Sequence, residues 1–187
     1  MRRSALCFGL LSFVLGCTES AEQNTFVVRV SQINSGSPLL ADVVRCETDT
    51  TCGIPTDVVR TEFTNRIVSP NIVDPGTAWY DFHLRSYTVR FRRSDGGPAS
   101  GPGWNLNNFT HTGATSAIIP ANGSAEVGIL VVPVGMKSVT PFLELQLGGV
   151  INLIADIDFV GGSAIDLDDE VHVPVSLTVS VANFADE

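Results

Sequence analysis

The sequence predicts an all-β domain, an antiparallel β-sandwich of about eight strands. Three observations carry this. Apolar and polar residues alternate with period two in most segments beyond residue 25, as in strands with one dry and one wet face. No segment carries a convincing helical stripe. Clusters of Gly, Pro, Asn and Asp separate the segments at short intervals, the spacing of a sandwich. The 187 residues fit one domain, or two small ones at most. With 44% apolar and 17% charged residues, a fully disordered chain is excluded.

Taken in order, Phe26–Val30 and Leu39–Val44 read as strands around Asn34–Pro38, a natural turn. Val58–Phe63 follows. Tyr87–Arg92 alternates aromatic and apolar residues against polar ones. Ser94–Gly113 is the long irregular stretch, rich in Gly and Pro, with Trp104 inside; loops of that length are usually functional or mobile. Thr115–Ile119 is the next strand, and Asn122-Gly123 a tight turn, because both residues tolerate positive φ. Ala125–Val132 begins by alternating and ends fully apolar, the pattern of a central strand. Lys137–Leu147 is the one ambiguous segment, compatible with a strand that carries a short helical turn. Ile151–Phe159 alternates, with Ile154 out of step. Val171–Val181 alternates throughout, and Pro174, which cannot donate to a ladder, puts that strand at an edge or on a bulge.

The first residues read as an address. Met1-Arg2-Arg3 is basic, Ala5–Leu15 is uncharged, and Gly16-Cys17 precedes an abruptly polar Thr18-Glu19-Ser20. This is the layout of an export signal, and its apolar run is about half the ~20 residues a spanning helix needs. Val14-Leu15-Gly16-Cys17 resembles the lipobox of bacterial lipoproteins, with Leu15 less usual there than Ala or Ser. The resemblance implies cleavage before Cys17, acylation of its thiol and new amine, and a membrane anchor through those chains. Two or more acyl chains hold stably where one does not. Residues 1–16 are then the signal peptide, 17–24 a lipidated tether and 25–187 the sandwich. With no Asp after Cys17, the resemblance also implies the outer membrane. Loss of Arg2 and Arg3 takes the formal charge from −9 to −11. That balance argues against nucleic acid as a partner.

With Cys7 removed and Cys17 lipidated, Cys46 and Cys52 remain as an even pair in an exported chain, which favours a disulfide. The rival is a two-ligand metal site, which lacks a second Cys or His pair at suitable spacing. His83, His111 and His172 have no ligand spacing. There is no Gly-x-Ser-x-Gly elbow and no phosphate loop, so neither catalytic residues nor a cofactor are expected. Asp166, Asp168, Asp169 and Glu170 crowd the turn before the last strand. They are weak Ca²⁺ candidates, with a solvated hairpin turn as the plainer reading.

Ser37–Val43, Tyr87–Phe91 with Asp95-Gly96, Ile119–Ser124 and the closing strand with Asn183–Asp186 together resemble a group of uncharacterised bacterial lipoproteins. The resemblance implies one Ig-like sandwich in the cell envelope and supplies no catalytic residues. The expected function is therefore a membrane-anchored, non-enzymatic binding or structural lipoprotein. Its partner is an envelope protein or polysaccharide, and Trp104 is the candidate contact. The alternatives are a Ca²⁺- or carbohydrate-dependent adhesion module and, more remotely, a hydrolase with a dispersed site.

Overall fold

The alternating segments form strands in two sheets that bury their apolar faces against each other. The computed structural model describes residues 26–48, 51–68, 78–163 and 170–184. The first strands are β1 (Phe26–Ile33), β2 (Leu39–Asp42), β3 (Arg45–Thr48), β4 (Thr51–Gly53), β5 (Asp57–Ile67) and β6 (Phe82–Arg93). They are followed by β7 (Ser100–Gly101), β8 (Trp104–Asn105), β9 (His111–Ile119), β10 (Gly123–Val132), β11 (Val150–Ser163) and β12 (Val171–Ala182). One short helix, α1 (Val134–Lys137), lies between β10 and β11.

One sheet has the order β1-β5-β10 and the other β2-β12-β11-β6-β9. Eight strands thus make the sandwich, while β3–β4 and β7–β8 are small separate hairpins. All pairings in the large sheet are antiparallel except β2 on β12. The opening stretch divides itself: β1 joins the small sheet and β2 the large one. β6, β11 and β12 sit side by side as the C, F and G strands of an immunoglobulin-like sandwich do, with β9 added as an outer strand. Between the sheets, Phe63 of β5 meets Phe159 of β11 edge-on at 4.8 Å, and Val89, Ile157 and Val179 are fully or almost fully buried around them. This core is what the alternation encodes.

The sandwich has two distinct ends. At the N-terminal pole, β1 begins opposite the end of β5, and Phe26 packs near Phe82 at the start of β6. At the distal pole, β6 ends and β11 begins, paired Arg93 to Leu153, and β10 ends opposite the start of β5. A strand of the length of β12, twelve residues, separates the poles by about 40 Å at ~3.3 Å per residue.

Several expected boundaries move for one reason. Bulges interrupt β1 at Val30/Gln32, β6 at Leu84/Ser86 and β10 at Leu130/Val132. A bulge resets the parity of the alternation. The strands expected to end at Val30 and to start at Tyr87 therefore run on to Ile33 and back to Phe82, with Phe82, Leu84, Tyr87, Val89 and Phe91 all inward. The same device corrects the reading of Ala125–Val132 as central. β10 is an edge strand, and its apolar end arises because the bulge turns both Val131 and Val132 inward. Its edge is covered there: the Leu130 N–H donates to Tyr87 Oη at 3.0 Å, and His111 Nε2 lies 3.1 Å from the Leu130 carbonyl.

Asn34–Pro38 turns between sheets rather than within a hairpin, with positive φ at Asn34, Ser35 and Gly36. Lys137–Leu147 forms no strand. It carries the end of α1 and a 3₁₀ turn at Leu143–Leu147, stopped by Gly148 and Gly149, both at positive φ. Pro174 sits where β12 has a single neighbour: β11 pairs along the whole strand, but β2 reaches only residues 179–182. Asn122 adopts a φ of 52° in the turn that carries the chain from β9 to β10.

Candidate functional site

The stretch expected to be irregular is held in shape at the distal pole. Ser100 pairs with Asn105 and Gly101 with Trp104. The Leu106 N–H reaches the Ala99 carbonyl at 2.8 Å, and the Asn105 side chain accepts from the Asn107 N–H at 2.9 Å, capping a 3₁₀ turn. A cavity of about 350 Å³ opens beside it. Trp104, Leu106, Pro141, Phe142, Ile151 and Leu153 contribute apolar residues to its lining, and Arg93, Ser94, Asp95 and Asn152 polar ones. Val150 completes the lining, and exposed Leu143 and Leu147 belong to the neighbouring 3₁₀ turn.

Two glycines shape this site by close approach. A β-carbon on Gly101 would stand 2.7 Å from Trp104 Nε1, and one on Gly97 would stand 2.8 Å from Arg93 Nε. The half-buried indole and the Arg93 guanidinium therefore lie against bare backbone. Arg93 and Asp95 form a two-pronged pair: Nε donates to Oδ1 at 2.8 Å and Nη2 donates to Oδ2, while Gly97 N–H also donates to Oδ1 at 2.9 Å. The Arg93 and Gly97 hydrogen bonds hold the Asp95 carboxyl well below the usual carboxylate range.

The residues singled out in the sequence are dispersed. Cys17, Asp166, Asp168 and Asp169 lie outside the described residues, and Glu170 is exposed just before β12. Cys46 and Cys52 are bonded to each other across the β3–β4 hairpin. His83 is half-buried on β6, and His111 bridges the Phe109 and Leu130 carbonyls. His172 Nδ1 lies 2.8 Å from Asp158 Oδ2, a partner invisible in sequence because register alone brings β11 and β12 together. Among the described residues no group of three His, Cys, Asp or Glu converges as a metal needs. Among them, too, no helix is long and apolar enough to cross a membrane.

Two polar constellations escaped the sequence reading. On the outer face of the large sheet, Asp156 accepts from Arg92 Nε at 2.7 Å and from Ser176 Oγ at 2.6 Å. Burial pushes its carboxyl up, but the Arg92 and Ser176 hydrogen bonds and the Arg92 charge outweigh that and leave it below its ordinary value. At the distal pole Lys137, the chain's only lysine, is fully buried. Its Nζ donates to the Asp42 and Pro55 carbonyls, each at 2.7 Å, and pairs with Asp57 Oδ2 at 2.5 Å. The two carbonyls take hydrogen bonds, and the contact with Asp57 is an ion pair. Asp42 precedes the disulfide hairpin and Pro55 and Asp57 follow it, so Lys137 clamps its base. Burial drives the Asp57 carboxyl above its ordinary value, with Lys137 pulling it part of the way back. The signal was available: a lone lysine amid apolar residues.

No family model matches the chain, and no curated protein matches it. A solved structural-genomics target, SoR45, aligns over 85% of this chain and 87% of its own at 10% identity and a TM-score of 0.33. A likeness that weak carries no argument about fold or function, so the fold rests on the topology itself.

Proposed function

We propose that this chain is a lipoprotein of the cell envelope, anchored through acylated Cys17, whose sandwich is a non-enzymatic binding module. The observation that carries the reading is polarity. The described sandwich begins with Phe26 at one pole, and the Trp104 cavity opens at the other, about 40 Å away. On this reading a lipid on Cys17 tethers the N-terminal pole, which supports a cavity directed away from the membrane. The lipobox resemblance supports the anchor and, with Thr18 following the cysteine, the outer membrane. The rigid loop around Trp104 supports binding, because a preorganised aromatic beside a cavity loses little freedom on contact. An envelope protein or polysaccharide is the partner class.

Site-specific photo-crosslinking in intact cells tests this. A crosslinker at Val150, exposed at the distal pole, should give discrete adducts, and one at Ser124, exposed at the N-terminal pole, should not. Adducts at Ser124 alone would reverse the proposed orientation.

A further inference from the structure

We infer that the distal cavity binds a neutral sugar ring of a glycan, stacked on Trp104 and hydrogen-bonded by the Arg93–Asp95 pair. This rests on the binding reading above and specifies its ligand. A pyranose has an apolar C–H side and a rim of hydroxyls, each both donor and acceptor. The cavity matches both halves. Trp104, Leu106, Pro141 and Phe142 offer apolar surface, and its ~350 Å³ falls within the range of small-ligand sites. Among the lining residues the Arg93–Asp95 pair sets guanidinium donors next to carboxylate acceptors, the arrangement that adjacent hydroxyls satisfy. Because Arg93 and Asp95 cancel each other's charge, the rim selects a neutral polar ligand over an anion or a cation. An acyl chain would leave that pair facing hydrocarbon, which disfavours it.

The preorganisation is visible in the backbone. Gly97 makes room for the Arg93 side chain and Gly101 for the Trp104 indole, so the platform and the polar fork are seated before any ligand arrives. Trp104 Nε1, at the edge against Gly101, has no place for a methyl group beside it.

The test uses the full chain carrying Cys17→Ser, which removes the acylation site, together with Trp79→Phe. The chain has two tryptophans, so Trp104 is then the sole indole reporter. Titration with malto-, cello- and chitohexaose should give a saturable change in Trp104 fluorescence with at least one of them. Arg93→Met with Asp95→Leu, which removes the fork without stranding a charge, should weaken that binding at least about tenfold. Gly101→Ala should weaken it similarly by displacing the indole, and an unchanged melting temperature certifies the fold of each variant. A flat titration with all three sugars at millimolar concentration overturns the inference. So does a sugar response unaltered in the fork variant, or saturable decanoate binding that no sugar displaces. Since lipidation plays no part in this assay, its failure removes the ligand and leaves the anchor to be judged separately.

Discussion

Lys137 shows how much one buried side chain carries. Its ammonium is the counter-charge for Asp57, whose side chain is 9% exposed, and the donor to two carbonyls. Lys137→Met strands the carboxylate and those acceptors, so it should destabilise by about 3–5 kcal/mol in urea unfolding. Adding Asp57→Leu should recover only part of the loss, because it removes the unpaired carboxylate but leaves the Asp42 and Pro55 carbonyls without their donor. Asp57 and Asp156 are shifted in opposite senses and so act in opposite directions with pH. Asp57, raised above its ordinary 3.8, favours folding below that value, and its share is lost as pH climbs through the folded value. Asp156, held below 3.8, favours folding above that value, and its share is lost as pH falls through the folded value. Wild type should therefore exceed Asp156→Asn in stability at neutral pH, by under about 1 kcal/mol because the pair is largely exposed. That gap should close on acidification, as chemical denaturation at several pH values will read.

At the scale of elements, the disulfide hairpin and the bulges set what the sequence could disclose. The Cys46–Cys52 bridge closes a separation of six residues, so its reduction should cost about 2 kcal/mol and leave the sandwich folded. Thiol titration of the native protein should find neither cysteine free, and thermal melts with and without reductant will read the cost. The strand cores, the turn at Asn122 and the edge character at Pro174 were legible because period two and φ preferences are local properties. The extents of β1 and β6, and the edge position of β10, were hidden because a bulge shifts parity without leaving a marker in composition. The site was partly legible. Trp104 announced itself as a large aromatic in a Gly-Pro stretch. That Arg93 folds back onto Asp95, and that Gly97 and Gly101 are seats for side chains, depends on how the loop closes on β11. Lys137 with Asp57 and His172 with Asp158 are long-range pairs of the same kind.

The whole molecule is a fold with two unlike ends, and the anchor we propose belongs to one of them. The N-terminal pole receives the chain at Phe26; the distal pole gathers the Trp104 cavity, the disulfide hairpin and the Lys137 clamp. The alternating strands commit their apolar faces to the core, and a chain cut before Cys17, as we propose, would carry a formal charge of −11 that repels an acidic leaflet; on that proposal, lasting membrane attachment would fall to a lipid on Cys17. Detergent-phase partitioning of the wild-type protein and of Cys17→Ser, each expressed in its native host, tests this most directly. The wild type should enter the detergent phase and carry a metabolic fatty-acid label. The Cys17→Ser protein should be folded and unlabelled, retaining its signal or appearing soluble after another cut. A Cys17→Ser protein that is cleaved normally yet still partitions with membranes would contradict the lipoprotein assignment.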